Sequence, residues 1–168
     1  MGWGYRILGG TAAVLGAVSL VCALLTLLPG LLLPESRWSA VASGTFIILL
    51  FGAAVVWSLV SVGRPRRLWL PLRCLPGKVQ AALGALVAGG AVLTLVDLAQ
   101  GSVLRSPKTE YGSYYAFDKT TREWVEIFSR AEYEALVELE QRGVHADASL
   151  FLGIAAALFL SMGELRRR

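Results

Sequence analysis

The 168-residue chain has no asparagine, one histidine and two cysteines, and each shortage removes a class of function. Without asparagine there is no acceptor for N-linked glycosylation. His145 lacks a second histidine, and metal centres draw on several ligands. With Asp147 beside it, His145 is expected to be an interfacial polar residue rather than a metal or haem ligand or a proton relay. Cys22 and Cys74 form no CxxC pair, which excludes the chemistry of membrane thiol oxidoreductases. One falls in an apolar segment and the other in a basic loop, so no disulfide is expected between them.

Catalytic signatures are missing as well. No glycine-rich phosphate loop, paired metal-ligand motif or nucleophile elbow occurs in a supporting context. The chain is therefore expected to be no enzyme, with no catalytic residue, no metal and no cofactor; the enzymatic alternative is one handling a lipid substrate at the interface, with Asp97, His145 or Asp147 nearby. Ionisable side chains are also scarce within its apolar runs, where a proton-coupled carrier needs a coupling group. Asp97 is the exception, and it stands close enough to the end of its run to reach the interface and terminate or pair there.

What is abundant is apolar surface. The hydrophobic fraction is 55% and the mean hydropathy +0.60, well above a water-soluble domain. Four runs approach the ~20 residues that cross a hydrocarbon core, at about 7–28, 39–62, 79–98 and 148–163. Pro29 and Gly30 close the first, which is too long and lacks the small-residue cleavage site of a secretory signal. Cys22 is not preceded by a lipobox, and Met1 and Gly2 lack the motif for myristoylation. The fourth run is short for a full span. It is expected to thin the bilayer, to extend into preceding residues, or to shelter among the other helices, the last being favoured by Ala155, Ala156 and Ala157. The fold class is thus an all-α membrane protein of four transmembrane helices, a single polytopic domain over 1–168.

Basic residues in the flanking segments set the orientation. Arg6 precedes the first span, Arg64, Arg66, Arg67, Arg73 and Lys78 lie between the second and third, and Arg166, Arg167 and Arg168 follow the fourth. Both termini are expected to be cytoplasmic. The preference for arginine over lysine, with Ala, Gly, Leu and Val dominating, points to a GC-rich bacterium and so to its inner membrane. Arg64, Arg66, Arg67, Arg73 and Lys78 are also candidate contacts for anionic lipid headgroups. That makes nucleic acid an unnecessary explanation for an isoelectric point of 9.4.

Between the third and fourth spans the composition changes. Segment 101–147 is expected to be an extracytoplasmic element without disulfides, braced against the membrane helices. Tyr114, Tyr115 and Phe117, then Asp118, Lys119, Thr120 and Thr121, then Trp124, Val125, Ile127 and Phe128 predict a β-hairpin whose turn is held by Asp and Thr side chains. Ser129 and Glu132 form a capping box that starts a helix near Arg130. Tyr133, Leu136, Val137 and Leu139 make its apolar face, and Gly143 is expected to end it. Tyr111, Tyr114, Tyr115, Trp124 and Tyr133 are candidate partner-binding residues, since tyrosine and tryptophan dominate binding hot spots. The same rings anchor membrane interfaces, and a compact structural cap is an equal alternative.

Within the spans, Gly84, Ala85, Ala88, Gly89, Gly153 and Ala157 repeat at the four-residue spacing that lets helix backbones approach, inside the bundle or against a partner. The expected function is that of a non-catalytic membrane interaction protein, an accessory or scaffold subunit meeting the bilayer and another membrane protein or itself. The alternative is an oligomeric channel or small-solute transporter with Thr11, Ser19, Thr26, Ser43, Thr45, Ser58 or Thr94 along a polar path.

Overall fold

The computed structural model describes residues 3–28, 37–62, 75–100 and 103–165. Four helices are long and apolar enough to cross a membrane, and a small three-stranded sheet stands between the third and fourth. The order is α1 (Trp3–Leu25), α2 (Arg37–Val62), α3 (Gly77–Gln100), β1 (Leu104–Glu110), β2 (Ser113–Asp118), β3 (Glu123–Ile127) and α4 (Arg130–Leu165).

The helices are those expected of apolar runs that must satisfy their own backbone groups. Two buried hydroxyls bond within their own helices: Thr26 Oγ1 donates to the Ala23 carbonyl at 2.8 Å, and Ser58 Oγ to that of Val55 at 2.8 Å. Exposed Thr11 Oγ1 bonds to the Leu8 carbonyl in the same way. α1 ends in tight turns, where Leu27 and Leu28 donate to the carbonyls of Leu24 and Leu25. α3 starts just after Pro76, whose carbonyl accepts from Val79 and Gln80 and whose missing N–H costs nothing there.

α4 corrects the expectation that the amphipathic helix ends at Gly143. It runs unbroken for 36 residues, through Gly143 and into the fourth apolar run. A glycine inside a helix costs only about 1 kcal/mol relative to alanine, and good helix formers follow on both sides. At this position glycine also admits the neighbouring helix, because a Cβ there would lie 3.1 Å from Asp97 Oδ2. The helix does start at Arg130, with Ser129 as its cap: Ser129 Oγ accepts from the Glu132 amide at 3.5 Å, and the Ser129 carbonyl from Tyr133 at 3.1 Å.

The short fourth run therefore extends into the residues before it and is also sheltered. Burial covers 61% of the apolar window of α4, against 22% in α1 and 17% in α2 and α3. α1, α2 and α3 each pack on α4, and contacts among those three are slight by comparison. The buried stripe of α1 is small-sided, with Gly9, Ala12, Gly16 and Ala23. Leu152, Phe159 and Leu160 of α4 belong to the core facing it. A Cβ on Gly9 would fall 2.7 Å from Leu160 Cγ, and one on Gly16 3.2 Å from Leu152 Cβ. On the α3 side, a Cβ at Gly90 would meet the Leu150 backbone nitrogen at 2.8 Å. Ring contacts supplement the fit, Phe51 of α2 with Phe151 at 5.1 Å and Tyr5 of α1 with Trp57 of α2 at 6.0 Å. Arg6 and Glu164, 3.8 Å apart, bring the start of α1 and the end of α4 to the same end of the bundle.

The outer surface is apolar. Ile7, Val14 and Val21 of α1, Ile48, Leu49 and Val60 of α2 and Leu95 and Leu98 of α3 are all exposed. Such a belt costs heavily in water and little in lipid.

The sheet is an antiparallel meander in the order β1-β2-β3, one strand more than the expected hairpin. β2 and β3 pair from Tyr114 with Ile127 to Asp118 with Glu123. The Asp118 carboxylate accepts from the Thr120 amide at 2.7 Å and the Thr121 amide at 3.3 Å, which closes their turn. The extra strand β1 pairs with β2 through a shift between Arg105 and Lys108. Ser106 in the left-handed region (φ 53°) and Pro107 break the alternation that would have marked the strand.

Replacing Gly90 with alanine is expected to lower the unfolding temperature in mild detergent, with an overpacking cost of about 1–3 kcal/mol, because its contact is α4 backbone. Gly84→Ala, where no atom lies within 4 Å of the added Cβ, is expected to leave the transition unchanged. Thermal unfolding of the two variants side by side checks the contrast.

Candidate functional site

Among the described residues, two regions beyond the apolar core concentrate polar chemistry, a cleft where α3, β1 and α4 meet and the surface of the sheet. Asp97, Leu104, Arg105, Leu136, Leu139, Glu140, Gly143, Val144 and Asp147 line the cleft, whose volume is about 110 Å³. That holds a few waters and falls short of the ~300 Å³ at which small-molecule sites begin. Asp97 is buried at the last turn of α3, and Arg105 Nη2 donates to its Oδ2 at 3.3 Å. Thr94 Oγ1 donates to Asp147 Oδ1 at 2.8 Å, and Arg142 Nη2 donates to Gln100 Oε1. Each of these bonds ties the end of α3 to α4 or to β1. Partial burial in the cleft raises the Glu140 carboxyl above the ordinary carboxylate value, while the Arg105 charge pulls it down.

Asp97 and Asp147 thus come together, as polar fasteners. His145 is half-buried on α4 and does not line the cleft. Among the described residues no group of three or more His, Cys, Asp or Glu is arranged to hold a metal. Arg105 and Arg142 carry no signal of their own in the sequence, and Thr94, a candidate for a polar path, instead bonds to Asp147. The signal for Arg105 was the unpaired acid at the end of a span, but its partner lies on a strand that the alternation hides.

The candidate aromatic residues divide by position. Tyr114 and Tyr133 stack with centroids 4.5 Å apart, and Thr109 Oγ1 bonds to Tyr133 Oη at 3.2 Å. These contacts seat one face of the sheet on α4, with Ala116 and Ile127 buried beneath. Tyr115 and Trp124 lie on the opposite face, where Lys108 Nζ stands 4.2 Å from the Trp124 ring centroid and 5.7 Å from that of Tyr115. Both distances are within cation–π range. Phe117 packs edge-on against Trp124.

Tyr111 is different. It occupies the two-residue β1–β2 turn with Gly112, both at positive φ (51° and 85°), the signature of a type I′ hairpin. The first of these positions favours asparagine, aspartate or glycine, and a bulky side chain there is strained. The ring is 100% exposed. One strand across, Phe128 follows Ile127 and is 92% exposed. Both mark the end of the sheet where Tyr114 and Tyr133 meet, and Leu104 and Arg105 mark the opposite end beside the cleft.

The six small residues divide as well. Gly153 lies against Val87 and Leu86, Gly89 against Leu20, and Ala157 packs on the core. Gly84, Ala85 and Ala88 form an outward face of α3. Lys78 is exposed at the start of α3, while Arg64, Arg66, Arg67 and Arg73 lie outside the described residues.

Comparison of the chain with protein-family models, with curated proteins and with solved structures gives no match.

Arg105→Ala strands the Asp97 carboxylate in a mostly buried site and is expected to destabilise the protein by about 1–3 kcal/mol. Asp97→Asn in the same background is expected to recover part of the loss. Hydrogen exchange read at α3's last turn and β1 checks both, since faster exchange there should precede global unfolding.

Proposed function

We propose that the chain is a non-catalytic membrane interaction protein, an accessory or scaffold subunit that presents a rigid aromatic tip to a partner protein. The observation that carries this reading is Tyr111, a bulky ring kept in a strained left-handed turn and fully exposed. Strain of this kind costs about 1–3 kcal/mol and clusters at functional positions. Phe128 beside it adds a second exposed ring.

Position argues for a protein partner over the chain's own bilayer. The β1–β2 turn lies a full strand, about 20 Å, beyond the cleft at the end of α3. Rings there stand clear of the interface, where anchoring aromatics belong. Within the bundle, the outward Gly84, Ala85 and Ala88 suit close approach by a further helix. The arginine distribution and the even number of candidate spans support cytoplasmic termini, and the arginine-rich composition supports a bacterial inner membrane. The channel alternative gains little, because Thr11, Thr26 and Ser58 spend their hydroxyl donors on carbonyls of their own helices.

A photo-crosslinking residue in place of Tyr111, activated in native membranes, is expected to capture one reproducible protein in stoichiometric yield. Co-purification of that protein should be lost on Tyr111→Ala with Phe128→Ala. Capture of lipid alone, or of no protein above background, would sink the proposal.

A further inference from the structure

The other end of the sheet faces the opposite way. α3 has 24 residues, which at 1.5 Å each make about 36 Å, so Gln100 reaches the far surface of a ~30 Å hydrocarbon core. Val103 follows three residues later, and its carbonyl accepts from the Lys119 amide at 3.1 Å. That bond pins the β2–β3 turn, 119–122, to the chain emerging from the membrane. Every residue from 119 to 124 is exposed.

We infer that this turn, with Lys119 and Arg122, rests on the phospholipid headgroups of the membrane that α3 crosses. The inference depends on the bundle being embedded in a bilayer, but not on any protein partner. Three features support it besides position. The Asp118 carboxylate is committed to the turn amides of Thr120 and Thr121, and the first of these bonds is the main cause holding it below the ordinary carboxylate value. That fixes the carboxylate on the turn backbone, while the Lys119 and Arg122 side chains stand at the exposed surface with Asp118 and Glu123 as their nearest counter-charges in sequence. Arg122 is held at φ 59°, a left-handed conformation at the end of the turn. Val103 and Trp124, each about half exposed, flank the turn with the apolar and indole surface that partitions to an interface. Cations on headgroup phosphates and an indole at the headgroup level match the chemistry of a lipid surface.

The sheet is thereby two-ended, its basic turn on lipid and its aromatic turn about 20 Å farther out. Seating one end on the headgroups would fix the direction in which Tyr111 points.

The test uses the full chain with Cys22→Ala and Cys74→Ala, reconstituted in nanodiscs of phosphatidylcholine and phosphatidylglycerol. An environment-sensitive fluorophore is attached at Thr121→Cys, Tyr111→Cys or Leu95→Cys, one at a time. Lipids carry a nitroxide on the headgroup or on the acyl chain. Headgroup nitroxide is expected to quench the label at 121 at least about twofold more than at 111, and Lys119→Glu with Arg122→Glu is expected to reduce that difference. Quenching at 95 by the acyl nitroxide with equal, weak headgroup quenching at 121 and 111 overturns the inference while leaving the bundle in the bilayer. Absence of acyl-chain quenching at 95 overturns the membrane reading and this inference together.

Discussion

Close approach of helix backbones to α4 is the contact on which the rest of the structure depends. In lipid there is no hydrophobic drive between helices, so their association relies on van der Waals fit and on the few polar bonds that link them. Gly9, Ala12 and Gly16 of α1 and Gly90 of α3 remove side chains where α4 offers Leu160, Leu152 and the backbone of Leu150. Large residues of α4 fill the grooves so formed, and the three outer helices turn most of their apolar surface outward. α4 alone has the burial of a core element.

Its continuity follows from the same geometry. The half of α4 that begins at Arg130 carries the charge and holds the sheet, and the half after Asp147 fills the bundle. Where the halves join, Gly143 lets Asp97 come close, Arg105 pairs with that acid, and Thr94 bonds to Asp147. A polar layer at this level satisfies the end of α3 and ties β1 to the bundle. Motion of the sheet relative to the helices would have to break these bonds, so the aromatic turn is carried on a stiff mount.

Much of this was legible in the sequence, for identifiable reasons. Length and hydropathy marked four helices because lipid permits little else. The β2–β3 hairpin was visible because Asp118 and Thr121 supply ordinary turn chemistry between alternating strands. The helix start after Ser129 was visible because an N-cap is a local signal. β1 was hidden by Pro107 and by the bulge at Ser106, and its hairpin by a turn of Tyr-Gly where Asn-Gly would have announced it. Gly143 was misread because a helix-ending glycine and one that admits a neighbouring helix look alike until that neighbour is placed. For the same reason the spacing of Gly84 and Ala88 matched that of Gly153 and Ala157, although one pair faces outward and the other inward. Tyr111 and Tyr133 are the same residue type with opposite roles, and only tertiary position separates the exposed ring from the one that fastens the sheet.

A bundle of four helices apolar enough to cross a membrane, a helix that continues beyond it without a break, and a sheet with unlike ends are the parts that α4 joins. The continuity of α4 can be measured as a distance between spin labels at Ala131→Cys and Phe151→Cys in a chain freed of its native cysteines. A continuous helix places these backbones ~30 Å apart with a narrow distribution. A broad distribution, or a mean distance shorter by ~10 Å or more, would show that the helix breaks near Gly143 and would contradict the account.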